Sequence, residues 1–157
     1  MQTLCRPPVD IKLQKKDGSS FESNTGVSLP IVHVDTVTIY PGETIHVEAG
    51  LGKDSLENLR AVEKVADPSK TLTLTFKQEP AGKKSKRPMM KLTVDNPFPK
   101  KIKYHTQVML LSGNIIKTST CPVGAGQTSY ESWPDPIFQL ILTDFRFAGE
   151  KEEKCEY

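Results

Sequence analysis

Histidine side chains are the first candidates for chemistry in this chain, because imidazole serves both as a metal ligand and as a general base. His33, His46 and His105 are the only histidines. No two of them have the short strand or helix spacing that would bring two imidazoles onto one metal ion. His46 and His105 alternate with apolar neighbours, so we expect both on the solvent faces of strands. The sequence therefore predicts no metal site.

Motifs typical of enzymes and cofactor sites are also absent. The chain contains no Gly-x-Ser-x-Gly elbow, no phosphate loop, no Gly-x-Gly-x-x-Gly turn and no His-Glu-x-x-His pair. Cys121 has no activating neighbour in the sequence and is followed by Pro122. An enzyme would have to assemble its site from distant residues, and the Gly-, Pro- and Ser-rich segment 119–135 is where we would place it. We predict no catalytic residue and no cofactor, and keep an enzyme as the third alternative.

The one cluster of like charge is a basic run in the segment 79–88. It consists of Lys83, Lys84, Lys86 and Arg87. One interpretation is a binding site for phosphate, an acidic glycan or a lipid headgroup. The other is a solvated loop whose lysines protect the edge of a sheet. Because no aromatic residues are interleaved with the charges, stacking on bases is not supported and nucleic acid is disfavoured as a partner.

Trp133, the only tryptophan, lies three residues after Tyr130 and just before two prolines that flank Asp135. A large ring held rigidly loses little entropy on binding, so Trp133 and Tyr130 are candidates for an exposed binding anchor. The alternative is that Trp133 folds inward and closes one end of the domain. We favour this second interpretation for Trp133, because burying such a ring contributes several kcal/mol (~3) to a small domain.

Three cysteines leave room for one disulfide and one free thiol. Cys5, followed by Arg6-Pro7-Pro8, is a candidate lipid anchor of a mature lipoprotein, although Leu4 is larger than the residue that usually precedes such a cysteine. If Cys5 is the anchor, Cys121 and Cys155 are the remaining pair, and their disulfide would hold the polar tail 150–157. Free thiols are the alternative for this pair.

The elements that must position these residues are strands, and the clearest signal is the stretch 90–111. Met90, Leu92 and Val94 alternate with polar residues, which indicates a strand with one buried face. Asn96-Pro97-Phe98-Pro99 ends this strand. A second alternating run begins at Ile102. These patterns predict an antiparallel hairpin at the centre of a β domain, followed by a turn at 112–114 and a returning strand at 115–118.

This stretch resembles one strand-turn-strand unit of the water-stress and late-embryogenesis β-sandwich domains. The resemblance rests on the pattern L-x-V-x-N-P-F beginning at Leu92, then I-x-Y, V-x-L and a Gly-Asn-Ile-Ile turn, and it covers about residues 90–118. The Asn96-Pro97 step is its most specific part. The resemblance implies an immunoglobulin-like sandwich with a passive binding role, and it carries over no catalytic residue.

Alternating patterns elsewhere complete the predicted architecture. Strands are expected at 9–13, 31–40, 44–49, 71–77 and 137–147, whereas apolar residues at helical spacing predict one helix at about 55–66. We therefore predict an all-β fold, an immunoglobulin-like antiparallel β-sandwich of about eight strands with one short helix. Residues 1–157 should form a single domain with flexible segments at 1–7 and 150–157.

The composition disfavours some classes of partner but does not identify a ligand. The net charge is +2, so it favours neither nucleic acid nor a membrane surface, and no apolar run is long enough to span a bilayer. We expect a non-catalytic, exported β-sandwich, periplasmic or at the cell surface, that binds a protein or an envelope component. The alternative is a cytoplasmic domain that binds an anionic partner through the basic loop 83–87. The start of the chain lacks the charged and apolar regions of a signal peptide, so export requires a leader that has been removed.

Overall fold

The computed structural model describes residues 3–82 and 86–157 and shows an all-β sandwich. Its fourteen strands, numbered in chain order, are β1 (Cys5–Arg6), β2 (Asp10–Gln14), β3 (Ser20–Asn24), β4 (Leu29–Pro30), β5 (Val32–His33), β6 (Thr36–Ile39), β7 (Thr44–Leu51), β8 (Leu56–Val62), β9 (Thr71–Glu79), β10 (Met89–Asp95), β11 (Ile102–Leu110), β12 (Ile115–Thr118), β13 (Thr128–Trp133) and β14 (Ile137–Phe147).

Two five-stranded sheets form the layers of the sandwich. The front sheet has the strand order β13-β10-β9-β7-β8, and the back sheet has the order β12-β11-β14-β6-β5. Two short ribbons, β1-β4 and β2-β3, complete the fold. Every pairing between these strands is antiparallel. The all-β sandwich expected from the alternating patterns is therefore confirmed.

The core lies between the front and back sheets and is built from one face of each strand. Alternate residues of β9 and β10 are buried, as their period-two patterns predict. The same holds for β11 and β6 in the back sheet, whereas the buried residues of β14 are spaced by two or three positions. The buried side chains of these five strands include Leu72, Leu74, Phe76, Met90, Leu92, Val94, Ile102, Tyr104, Val108, Leu140, Leu142, Val37 and Ile39.

The predicted helix at 55–66 is wrong, because this segment forms β8 beside β7. The register of β7 with β8 shifts by one residue between the pairs Glu48–Arg60 and Gly50–Glu57. One extra residue of β8 therefore forms a bulge. Asn58, inside the bulge, has a positive φ of 53°. The bulge changes the phase of the strand, so that apolar residues fall at uneven spacing and imitate a helical period. Pairing with β7 then overrides the local pattern.

The predicted hairpin between the strands at 90–95 and 102–110 is also wrong. Both strands exist, but β10 lies in the front sheet and β11 in the back sheet, so residues 96–101 cross from one layer to the other. The turn after β11 and the return of β12 beside it are confirmed. The alternating pattern defines each strand and its buried face, but it carries no information about which strand is the partner.

Asn96 organises the crossing between the sheets. Its side chain is almost fully buried, and its Nδ2 shares two protons among the carbonyl oxygens of Lys100 (3.0 Å), Val123 (3.1 Å) and Gly124 (3.1 Å). Its Oδ1 accepts from the Phe98 backbone N–H at 2.9 Å. The ring of Phe98 is buried in the core. A single carboxamide therefore fixes both the crossing and the segment that leads toward β13.

In the described part of the N-terminal segment, residues 3–7, the Arg6 side chain is only 3 % exposed. The Arg6 Nε lies 2.8 Å from Glu43 Oε2, and its NH2 donates to the Thr38 carbonyl at 2.6 Å. Its guanidinium also stacks 4.9 Å from the centroid of the Tyr40 ring. These contacts attach the start of the chain to the turn before β7.

Replacement of Asn96 by alanine should destabilise the fold by about 2–4 kcal/mol, because it leaves several buried backbone groups without partners. The measurement is the free energy of unfolding in urea. Asn114→Ala is the matched control, because Asn114 is exposed in a turn, and it should cost less than about 0.5 kcal/mol. Equal losses in the two variants would contradict the role given to Asn96.

Candidate functional site

One side of the sandwich is bounded by β12 and β13, which we call the open side. β12 is the outermost strand of the back sheet and β13 that of the front sheet, so within the described residues each pairs along one edge only. The indole Nε1 of Trp133 donates to Thr118 Oγ1 at 3.0 Å and joins the two strands at one point. The other edge of each strand leaves backbone N–H and C=O groups available to a further strand.

Two isoleucines make the edge of β12 apolar. Ile116 is opposite the buried Val108 of β11, so its side chain lies on the inner face of the back sheet, yet it is 46 % exposed. Ile115, on the outer face, is 50 % exposed. Lys117 is the one charged residue of this strand. The inner face of β12 is thus apolar and incompletely covered by the described chain.

The opposite side of the sandwich is protected against strand addition in three ways. β8 carries the bulge described above and an ion pair of 2.8 Å between Arg60 and Glu48. β5 has only two residues. The segment before β5 is hydrogen-bonded to the N-terminal segment, with Ile31 N donating to Leu4 O at 3.3 Å. Bulges, charges and short strands are the usual means of blocking an edge, and the open side has fewer of them.

Tyr130 projects from β13 on the solvent face of the front sheet. It is 64 % exposed, and Lys91 Nζ lies 5.0 Å from the centroid of its ring. The same Lys91 Nζ lies 3.6 Å from Glu79 Oε1, so the ammonium group contacts both the ring and a carboxylate. Tyr130 therefore has the exposure and the fixed surroundings of an aromatic anchor.

Trp133 points the other way. Its ring meets Phe76 edge to face with centroids 6.4 Å apart, and it packs partly buried against the core. The alternation along β13 places Trp133, Glu131 and Ser129 inward and Tyr130 outward. The two aromatic residues that the sequence singled out together are thus on opposite faces of one strand. Only Tyr130 has the exposure needed for an anchor.

Inside the open side lies a small group of buried polar atoms. Glu131 Oε1 accepts from the Cys121 N–H at 3.4 Å, whereas Glu131 Oε2, Ser129 Oγ and Tyr104 Oη are buried without a hydrogen-bond partner within the described residues. Burial raises the pKa of Glu131 to about 7, although the hydrogen bond from the Cys121 N–H acts in the opposite direction. Burial, together with the negative charge of Glu131, raises the pKa of Tyr104 well above its usual value. Glu131 is thus a shielded acid, and its Oε2 lacks the access that a substrate would need.

Segment 119–135, in which the third alternative places an enzyme site, is only partly a loop. Its second half contains β13, which the sequence pattern missed because the inward residues are Ser129, Glu131 and Trp133 and do not form an apolar row. Its first half carries Cys121, which forms a disulfide with Cys155. It is the pairing that the sequence predicts if Cys5 is a lipid anchor.

The C-terminal tail is attached to the back sheet by more than this disulfide. Thr120 and Glu156 exchange two backbone hydrogen bonds of 2.6 and 2.8 Å. Lys103 Nζ lies 2.5 Å from Glu152 and 3.7 Å from Glu156. The hydrogen bond from Lys103 is the main cause of a lowered pKa for Glu152. The segment 150–157 therefore contacts the rest of the protein at several points.

The remaining predicted site residues are spread over the molecule. Lys83 and Lys84 lie outside the described residues. Lys86 and Arg87 are exposed just before β10, at the end of the front sheet where Met90 pairs with Trp133. Cys5, the candidate lipid anchor, is exposed, is not part of a disulfide and lies in β1.

Two of the three histidines, His46 and His105, have side-chain partners in the protein. His46 Nδ1 is 3.0 Å from Thr73 Oγ1, and His105 Nε2 is 3.2 Å from Asp144 Oδ2. Within residues 3–82 and 86–157, no three acidic, histidine or cysteine side chains gather as a metal site would require. The same residues contain no helix with the length and apolar character that crossing a membrane demands.

Comparison with family models, with curated proteins and with solved structures finds no match to this chain.

Glu131→Gln should change how stability depends on pH. In the folded protein, the pKa of Glu131 is about 7, above its ordinary value of 4.5, so the unfolded chain ionises first as pH rises. The wild type should therefore lose stability between these two values, by on the order of 2 kcal/mol. The variant should lack this loss.

Urea unfolding from about pH 4.5 to about pH 8 measures the free energy of unfolding of both proteins. Glu22→Gln, at an exposed position, is the control. Parallel pH profiles for wild type and Glu131→Gln would contradict the assignment.

Trp133→Ala should destabilise the protein by about 2–4 kcal/mol, because it removes the contact with Phe76 and leaves a cavity at the open side. Tyr130→Ala should cost less than about 1 kcal/mol, since its ring is mostly in solvent. Urea unfolding compares the two variants. In the wild type, tryptophan emission should be blue-shifted and weakly quenched by acrylamide. Red-shifted, easily quenched emission would show instead that Trp133 is in solvent.

Proposed function

We propose that the protein is a non-catalytic, exported binding module that takes up an extended segment of a protein partner at the open side. The observation that carries this proposal is Ile116, an apolar residue on the inner face of a free edge strand that remains about half exposed. A segment added to β12 would cover this side chain and would pair with the free backbone groups of the strand. Addition of a strand to a sheet edge is a common way of recognising peptides.

The rest of the open side supports the same proposal. Residues on successive strand positions point to opposite faces, so Ile115 and Ile116 offer apolar contacts on both faces of β12. Tyr130 adds an aromatic side chain on the neighbouring edge strand, with Lys91 restraining its ring. Aromatic residues with few accessible rotamers are favoured at interfaces, because ordering them costs little entropy.

The disulfide between Cys121 and Cys155 supports export. Stable disulfides form in oxidising compartments and are rare in the cytoplasm. We therefore favour a periplasmic or cell-surface location over a cytoplasmic one. A lipid on Cys5 remains part of the proposal. Because the next residue, Arg6, is buried, such a lipid would hold the domain close to the membrane without an intervening tether.

Selection from a displayed library of random peptides would test the open side. Bound peptides should be enriched in alternating β-branched and aromatic residues, which suit an added strand. Ile116→Lys should weaken binding of the selected peptides at least tenfold, or about 1.4 kcal/mol, because it places a charge on the apolar edge. The affinities are measured by fluorescence anisotropy.

Val27→Lys is the matched control, because Val27 is also an exposed aliphatic residue but lies in the loop between β3 and β4. It should leave the affinity unchanged. An equal effect of both substitutions, or selected peptides without an alternating pattern, would contradict strand addition at β12.

A further inference from the structure

The β2-β3 ribbon has a free edge of its own, on the side of β2 away from β3. The backbone groups of Val9 and Lys15 form hydrogen bonds on the β3 side of the strand. Thr25 N donates to Val9 O at 3.0 Å, and Lys15 N donates to Ser19 O at 2.7 Å. Antiparallel pairs alternate between bonded and non-bonded positions, so the even-numbered residues of β2 turn their backbone groups to the other edge. That edge pairs with no strand of the described chain.

Gln78 shows how this edge can be used. Its side-chain Oε1 accepts from the Gln14 backbone N–H at 2.7 Å, and its Nε2 donates to the Gln14 carbonyl at 2.9 Å. The carboxamide of Gln78 thus pairs with Gln14 as a strand residue would. Lys12 and Asp10 are two and four positions before Gln14 on the same strand, so their backbone N–H and C=O groups face the same side. Among the described residues, no group pairs with them as Gln78 pairs with Gln14.

A groove of about 690 Å³ lies along this edge. Asp10 and Lys12 line it on the β2 side, and Lys77 and Gly42 line it on the side of the front sheet. Its volume is within the range of ligand-binding clefts. The groove is separate from the open side, because neither β12 nor β13 lines it.

Two lysines contribute positive charge to the groove, beside two carboxylates. Lys12 and Lys77 are exposed and form no ion pair with a described residue. Of the two carboxylates that line the groove, Asp10 accepts a hydrogen bond from the Asn24 side chain at 2.6 Å. Glu22 is opposite Lys12 in the β2-β3 register but forms no ion pair with it. The two lysines, on opposite walls, are therefore available to carboxylates of a ligand.

We propose that this groove binds an extended acidic peptide, which adds as a strand to the free edge of β2 while its carboxylates contact Lys12 and Lys77. The backbone N–H and C=O groups of Asp10 and Lys12 match the spacing of donors and acceptors along a peptide. An anionic polysaccharide could meet the lysines but would not reproduce this backbone pattern. The site is independent of the one proposed at the open side.

The test uses a fluorescein-labelled peptide of alternating valine and glutamate, with a valine–lysine peptide for comparison. The acidic peptide should bind to the wild type and the basic one should not. Lys12→Ala combined with Lys77→Ala should weaken binding at least about tenfold. Lys53→Ala, at an exposed lysine outside the groove, should leave it unchanged, and so should Ile116→Lys.

Amide exchange of the wild type, followed by NMR, tests the backbone part without any substitution. Saturation with the acidic peptide should slow exchange of the Asp10 and Lys12 amides at least about tenfold, because each would donate to the added strand. Peptide binding without this protection would overturn strand addition. Absence of binding below about 1 mM, or binding of a heparin fragment in place of the peptide, would overturn the proposed ligand class.

Discussion

The carboxamide of Asn96 is the interaction on which the arrangement of the two sheets depends. The chain leaves the front sheet at Asp95 and enters the back sheet at Ile102, two layers that pack about 10 Å apart. A crossing of this kind exposes backbone groups inside the domain, where each unpaired group is costly. Asn96 provides their partners and at the same time holds the carbonyls of Val123 and Gly124. The Asn96 side chain thus supports the segment that leads to β13, and the ladder between β10 and β13 then places that strand at the open side.

Much of the fold could be predicted from alternation alone. The buried faces of β7, β9 and β10 follow directly from apolar residues at every second position, because such a face has to lie against a second layer. The pattern fails where geometry departs from an ideal strand. The bulge at Asn58 imitates a helix. In β13, buried polar residues replace the apolar row, and no periodic signal remains.

Pairing could not be predicted, because partners in a sheet are chosen by contacts between distant parts of the chain. The crossing between β10 and β11 therefore resembled a hairpin. The same limit applies to the candidate sites. Trp133 and Tyr130 were visible as aromatic residues, but only their alternation along a strand separates the buried ring from the exposed one. Ile116 becomes significant once its strand is known to be an edge. The partners of Arg6 near Thr38 are likewise distant in the sequence and could not be predicted from it.

The disulfide between Cys121 and Cys155 has a consequence for how the chain is connected. It closes a covalent loop with a sequence separation of 34 residues, and this loop contains β13 of the front sheet and β14 of the back sheet. A ring that includes one strand from each layer ties the layers together independently of their packing. A single protease cut inside this ring would leave both products covalently linked, and they would separate only after the disulfide was reduced.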